Sequence, residues 1–178
     1  MLTDKLRSAL ALLLLFVGVM VVSAGSPHFI GTLGFSAGSL HVTGNLAGLG
    51  NTSITVKLEA YANVTASCQN NGGNTAPGRN PLRVSTVVMT SVIPDANGRT
   101  AVELIAQDPL SVSPLPPAPS AKAAGCPNGN WLVTGFVPSS TQWTGAQISV
   151  IDNATGALLL QQNYVCTGAG TSLTCTQV

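Results

Sequence analysis

From residue 53 to residue 68 every second side chain is apolar. Ile54, Val56, Leu58, Ala60, Ala62, Val64, Ala66 and Cys68 alternate with Ser53, Thr55, Lys57, Glu59, Tyr61, Asn63, Thr65 and Ser67. A helix would scatter these residues around its circumference, whereas a strand sends successive side chains to opposite faces. The pattern therefore predicts one long strand, or two joined by a bend, with one face in a core. Residues 39–46 repeat it, with Leu40, Val42 and Leu46 inward and His41, Thr43 and Asn45 outward. Residues 83–93 and 100–107 flank Pro94-Asp95-Ala96-Asn97-Gly98-Arg99, where Asn-Gly tolerates the positive φ of a hairpin turn. Residues 147–151 and 157–165 flank Asp152-Asn153-Ala154-Thr155-Gly156 in the same way. After residue 24 no stretch offers capped apolar positions at helical spacing.

These segments predict an all-β chain, an antiparallel β-sandwich of about seven to nine strands with an immunoglobulin-like layout. Pro109, Pro114, Pro116, Pro117 and Pro119 crowd residues 108–125, a segment that cannot donate a full ladder of hydrogen bonds and is expected to run as an exposed crossover loop. Residues 25–178 are expected to form one domain around that loop, because neither flank would make a two-layer core alone.

Residues 1–24 carry the marks of an export signal. Lys5 and Arg7 precede the apolar run from residue 9 to residue 22, and Val22-Ser23-Ala24 places small residues before the expected cleavage point. The run is shorter than the ~20 residues a membrane-spanning helix requires, so a secreted, extracellular chain with no membrane contact after cleavage is expected. Cleavage removes Asp4, Lys5 and Arg7 and leaves a formally neutral protein. With 7% of residues charged against a usual ~25%, the chain lacks the field that steers nucleic acid or anionic lipid.

Cys68, Cys126, Cys166 and Cys175 form an even set, which in an exported chain is expected to be oxidised, with three connectivities open. Cys166 and Cys175 bracket Thr167-Gly168-Ala169-Gly170-Thr171, a terminal hairpin that favours pairing them with each other and Cys68 with Cys126. Zinc would want a C-x-x-C spacing, and the chain has none.

Cys68 opens Cys68-Gln69-Asn70-Asn71-Gly72-Gly73-Asn74-Thr75-Ala76-Pro77-Gly78-Arg79-Asn80, and Cys126 opens Cys126-Pro127-Asn128-Gly129-Asn130-Trp131. Here the chain resembles a loose group of small secreted proteins that carry C-x-N-x-G-G-N-x-x-P-G-x-N at a strand end and a later C-P-N…W. The resemblance covers residues 40–135, implies a Cys68–Cys126 pair and transfers no activity; Cys166 and Cys175 lie outside the shared pattern. Read physically, the Gly and Pro-Gly pairs demand unusual backbone angles and the Asn side chains close Asx-turns, which predicts a rigid loop. Asn70, Asn71, Asn74, Asn128 and Asn130 are the residues of the competing reading, a ligand-binding loop. That loop has no carboxylate for calcium.

Candidate chemistry is thin. Gly34-Phe35-Ser36-Ala37-Gly38 matches the nucleophile-elbow pattern, but the expected acid-then-histidine order fails, since only His41 follows and no acid stands between. A copper site on His28 and His41 would need cleavage after Pro27. Paired carboxylates of glycosidase type are not expected among so few acids. Trp131, Trp143, Tyr61 and Tyr164 are the large aromatics that could stack on sugars; Trp131 is expected in the core, Tyr61 outward, and Trp143 exposed within residues 138–145. Asn51, Asn63 and Asn153 open glycosylation sequons that matter only in a glycosylating host.

The sequence thus leads to an exported, disulfide-stapled β-sandwich that is not an enzyme and needs no cofactor. Its expected role is structural or adhesive at a cell surface or matrix, through glycans or self-association. A carbohydrate-binding module using Trp143, Tyr61 and Trp131 is the alternative, followed at a distance by a copper-dependent or hydrolytic enzyme.

Overall fold

The computed structural model describes residues 25–36, 38–169 and 172–178; the expected signal segment, residues 1–24, lies outside them. The chain is all-β with antiparallel sheets. Strands β1 (His28–Ser36), β2 (Leu40–Ala47) and β7 (Thr100–Ala106) form one sheet in the order β1-β2-β7. Strands β3 (Ile54–Val64), β6 (Leu82–Val92), β9 (Gln142–Asp152), β10 (Leu158–Ala169) and β11 (Ser172–Gln177) form a second, in the order β11-β10-β9-β3-β6. A small third sheet, β5-β4-β8, joins β4 (Ala66–Asn70), β5 (Thr75–Pro77) and β8 (Trp131–Phe136).

The first two sheets face each other across one core. Leu40, Val42 and Leu46 of β2 and Val102, Leu104 and Ala106 of β7 meet Ile54, Val56, Leu58, Ala60 and Ala62 of β3, with Ile148 and Val150 of β9 beside them. Period-two burial runs without a slip from β3 into β4, as the alternation requires. The long segment bends at Thr65, whose N–H donates to the Ser140 hydroxyl (3.0 Å) and whose carbonyl accepts from Val137 (2.8 Å). Phe35 of β1 leans on Tyr164 of β10, ring centroids 5.0 Å apart, and so ties the two sheets at one side.

Both expected disulfides are present, Cys68–Cys126 and Cys166–Cys175, the second joining residues directly opposite in the β10–β11 ladder. Neither bridges the two packed sheets, as the disulfide of antibody domains does.

Several expectations are corrected. The Asn97-Gly98 loop does not close a hairpin: β6 pairs with β3, β7 pairs with β2, and residues 93–99 cross from one sheet to the other. By contrast β9 and β10 do pair across their Asp152–Gly156 turn. The described residues form eleven strands rather than seven to nine, because Gly-interrupted β1, β8 and the three-residue β5 also pair. The segment expected to run wholly extended contains a one-turn helix, α1 (Ala121–Ala124), capped by Ser120 at its start and by Gly125 at its end. Among the described residues no helix is long and apolar enough to cross a membrane.

Candidate functional site

The Asn-Gly segment of the resemblance motif is built by the chain for the chain. Asn70 Oδ1 accepts from the N–H of Gly72 and of Asn74, both at 3.0 Å, and Gly73 takes φ +81°, which a side chain would resist. Beyond β5, Gly78 N–H donates to the Ala66 carbonyl at 2.8 Å, and a Cβ at Gly78 would collide with the Ala124 carbonyl. Asn80 completes the contact: its N–H reaches the Ala124 carbonyl and its Nδ2 the Ala123 carbonyl, both at 3.1 Å. The motif therefore docks α1 beside the Cys68–Cys126 bond. Gly, Pro-Gly and Asn are the residues that permit so close an approach of two backbones.

Asn128 does the same on a smaller scale, its Oδ1 accepting from Asn130 N–H at 3.0 Å and its carbonyl from Trp131 N–H at 3.2 Å. Asn70 and Trp131 are ladder partners, so the two Asn-rich turns and Trp131 share one end of the small sheet. Asn71, Asn74, Asn128 and Asn130 are exposed there, and Asn70 half-buried.

The tryptophans exchange the roles expected of them. Trp143 is 5% exposed, because β9 already runs inward at that position and the indole Nε1–H reaches the Gly38 carbonyl at 3.0 Å. Trp131 is the half-exposed one. Tyr164 is buried, and its phenol is pushed above its ordinary pKa by that burial.

Tyr61 faces outward from β3 as expected, yet its ring is covered by Arg83, whose Cζ stands 4.5 Å from the centroid. Burial first, then the charge and hydrogen bond of Glu59, raise the Tyr61 phenol above its ordinary pKa, against smaller opposing effects of Arg83 and Lys57. Lys57 Nζ donates to Glu59 Oε2 at 3.2 Å on the same face, and Gln147 Nε2 to Asn163 Oδ1 at 2.9 Å. On β3, β9 and β10 the outer face of the five-stranded sheet thus carries polar side chains bonded to one another.

Ser36 and His41 are ladder partners on the outer face of the other sheet, and His41 Nε2 lies 2.8 Å from Glu103 Oε1. Serine, histidine and acid are thereby brought to adjacent strands, in an order the elbow pattern does not anticipate. Among the described residues no side-chain hydrogen bond joins Ser36 to His41, and the imidazole Nε2 is turned to Glu103 instead. His28 and His41 stand at opposite ends of the β1–β2 ladder, about 20 Å apart by the strand rise along β2, too far to share an ion. Among the described residues no cluster of three or more His, Cys, Asp or Glu could hold a metal.

The carboxylates are dispersed. Glu59 and Glu103 lie on opposite outer faces, and each loop aspartate closes its own turn. Asp95 accepts from Asn97 and Arg99 N–H, both at 2.9 Å, and Asp108 from Leu110 N–H and the Thr141 hydroxyl. Asp152 accepts from Ala154 and Thr155 N–H at 2.7 and 3.0 Å. The Thr155 and Ala154 donors, in that order, hold the Asp152 carboxyl below its ordinary pKa. Compared with known proteins, the chain matches no family model, no curated protein and no solved structure.

Proposed function

We propose that the protein is exported and works outside the cell as a non-catalytic structural or adhesive component of a surface or matrix. One observation carries the reading: much of the polar and sulfur chemistry that the sequence offered is committed to holding the fold. Asn70, Asn80 and Asn128 hold loop backbone, Asp95, Asp108 and Asp152 close turns, and the four cysteines are two disulfides. Such stapling suits a small domain in an oxidising environment. Fractionation of producing cells tests it. The protein is expected with the surface or matrix fraction, and recovery from the cytoplasm with reduced cysteines contradicts it.

A second reading has its own observation. Half-exposed Trp131 sits beside Asn70 and next to Asn128 and Asn130, an aromatic flanked by amide groups of the kind that sugars use. Binding to a glycan array that is lost in Trp131→Ala and kept in Tyr61→Ala would favour it over the purely structural role.

A further inference from the structure

Strand edges expose unpaired N–H and C=O groups, and folded proteins blunt them with short strands, bulges, prolines or charges. Most edges here are blunted. β1 has a register shift between Ile30 and Gly34, β5 is three residues long and ends in Pro77, and β7 carries Glu103. β8 and β11 are six residues each.

β6 is the exception. It pairs with β3 through eleven consecutive residues without a register shift, and its other edge has no strand beside it among the described residues. From residue 84 to residue 92 it contains no charge, no Pro and no Gly. Its outward face shows Val87 and Met89, 47% and 60% exposed.

The sequence of that edge reads the same in both directions by residue class: Val84-Ser85-Thr86-Val87-Val88-Met89-Thr90-Ser91-Val92. A two-fold axis through Val88, normal to the sheet, would set Val84 against Val92, Ser85 against Ser91, Thr86 against Thr90 and Val87 against Met89 of a second copy. Like faces like at every step, and such cross-strand pairs are the unit of sheet stabilisation. Moving the axis to Val87 would put Ser85 against Met89, and moving it to Met89 would put Val87 against Ser91. The two Arg83 side chains would lie at opposite ends of the ladder, about 34 Å apart, and would not repel. An isologous interface needs this self-complementarity, which a strand meant for a different partner does not.

We propose that β6 is a self-association edge, and that two copies pair antiparallel about Val88 to join their five-stranded sheets into one continuous sheet. The pairing names the partner of the structural role and rests on that reading. The experiment reads assembly alone, so a monomer would end the pairing and leave the fractionation result standing.

Sedimentation of the purified protein over a concentration series gives the mass. The expected values are that of two chains for the natural protein, that of one for Val87→Lys, and that of two again for Val87→Lys combined with Met89→Glu. Only the Val88-centred register sets position 87 of one copy opposite position 89 of the other, where the introduced ammonium and carboxylate would meet. Both positions point away from the core and lie opposite Glu59 and Lys57 of β3, so the new charges find partners within each chain as well. A natural protein of single-chain mass throughout, a Val87→Lys variant that stays dimeric, or a double variant that stays monomeric would each overturn the proposal.

Discussion

The indole of Trp143 on β9 donates to the Gly38 carbonyl in the β1–β2 turn at 3.0 Å, joining a strand of the five-stranded sheet to the sheet that covers it. The bond gives a buried ring N–H its acceptor and explains why this tryptophan is not a surface residue. Trp143→Ala is expected to cost about 3–5 kcal/mol, as large aromatic truncations in cores do. Trp143→Phe, which removes the donor and less volume, should cost less than the alanine variant. Denaturant unfolding of both measures it, and a loss under about 1 kcal/mol for Trp143→Ala would place the indole outside the core.

Ala62 and Asn63 are neighbours on β3 with opposite surroundings. Ala62 is fully buried opposite Trp143, while Asn63 lies on the outer face opposite Arg83. Ala62→Asp buries an unpaired carboxylate at a cost of several kcal/mol, against a total stability of roughly 5–15 kcal/mol. Asn63→Asp should change stability by no more than about 0.5 kcal/mol. Equal melting temperatures for the two variants would contradict the two-layer packing.

The two disulfides close loops of very different size, with sequence separations of 58 and 9 residues. On the chain-entropy account the first contributes roughly 4 kcal/mol and the second roughly 2.5 kcal/mol. Replacing Cys68 and Cys126 together by Ser should therefore lower the unfolding free energy more than replacing Cys166 and Cys175. The reverse order in denaturant unfolding would show that native-state packing, not loop closure, sets their contributions.

Asp152 carries an acid-side pH dependence. Its folded pKa is depressed by the Thr155 and Ala154 N–H donors, so its contribution is complete above the unfolded value of ~3.9. It is lost as pH falls from there through the lower folded value. Asp152→Asn keeps an acceptor for the turn without the charge. The stability gap between the natural protein and this variant should be constant at neutral pH and shrink below pH ~4. A gap unchanged down to strong acid would remove the charge from the explanation.

How much of this could be read from the sequence depended on how local each signal was. The β3–β4 alternation, the β9–β10 turn and the β10–β11 pairing are legible because face and partner lie within a few residues. The Asn97-Gly98 loop shows the limit. Asp95 and Gly98 encode a turn, but whether β6 and β7 stay together is decided by β3 and β2, whose long ladders claim them for different sheets. Trp143 was hidden by flanking Pro138 and Gly145, which suggest a loop although β9 starts at Gln142. Ser120 capping Ala121–Ala124 leaves one turn, too short for any apolar period. Of the candidate site, the turn roles of Asn70 and Asn128 were legible from Asx chemistry. The docking of Gly78 and Asn80 on Ala124 was not, since it joins segments far apart in the chain, as the separation of 43 residues between Asn80 and Ala123 shows.

The intact mass of the protein recovered from outside producing cells tests the extracellular, disulfide-stapled reading most directly. The expected chain begins at Gly25 and is lighter by the hydrogens that two disulfides lose. A mass retaining residues 1–24 with four free thiols would contradict it.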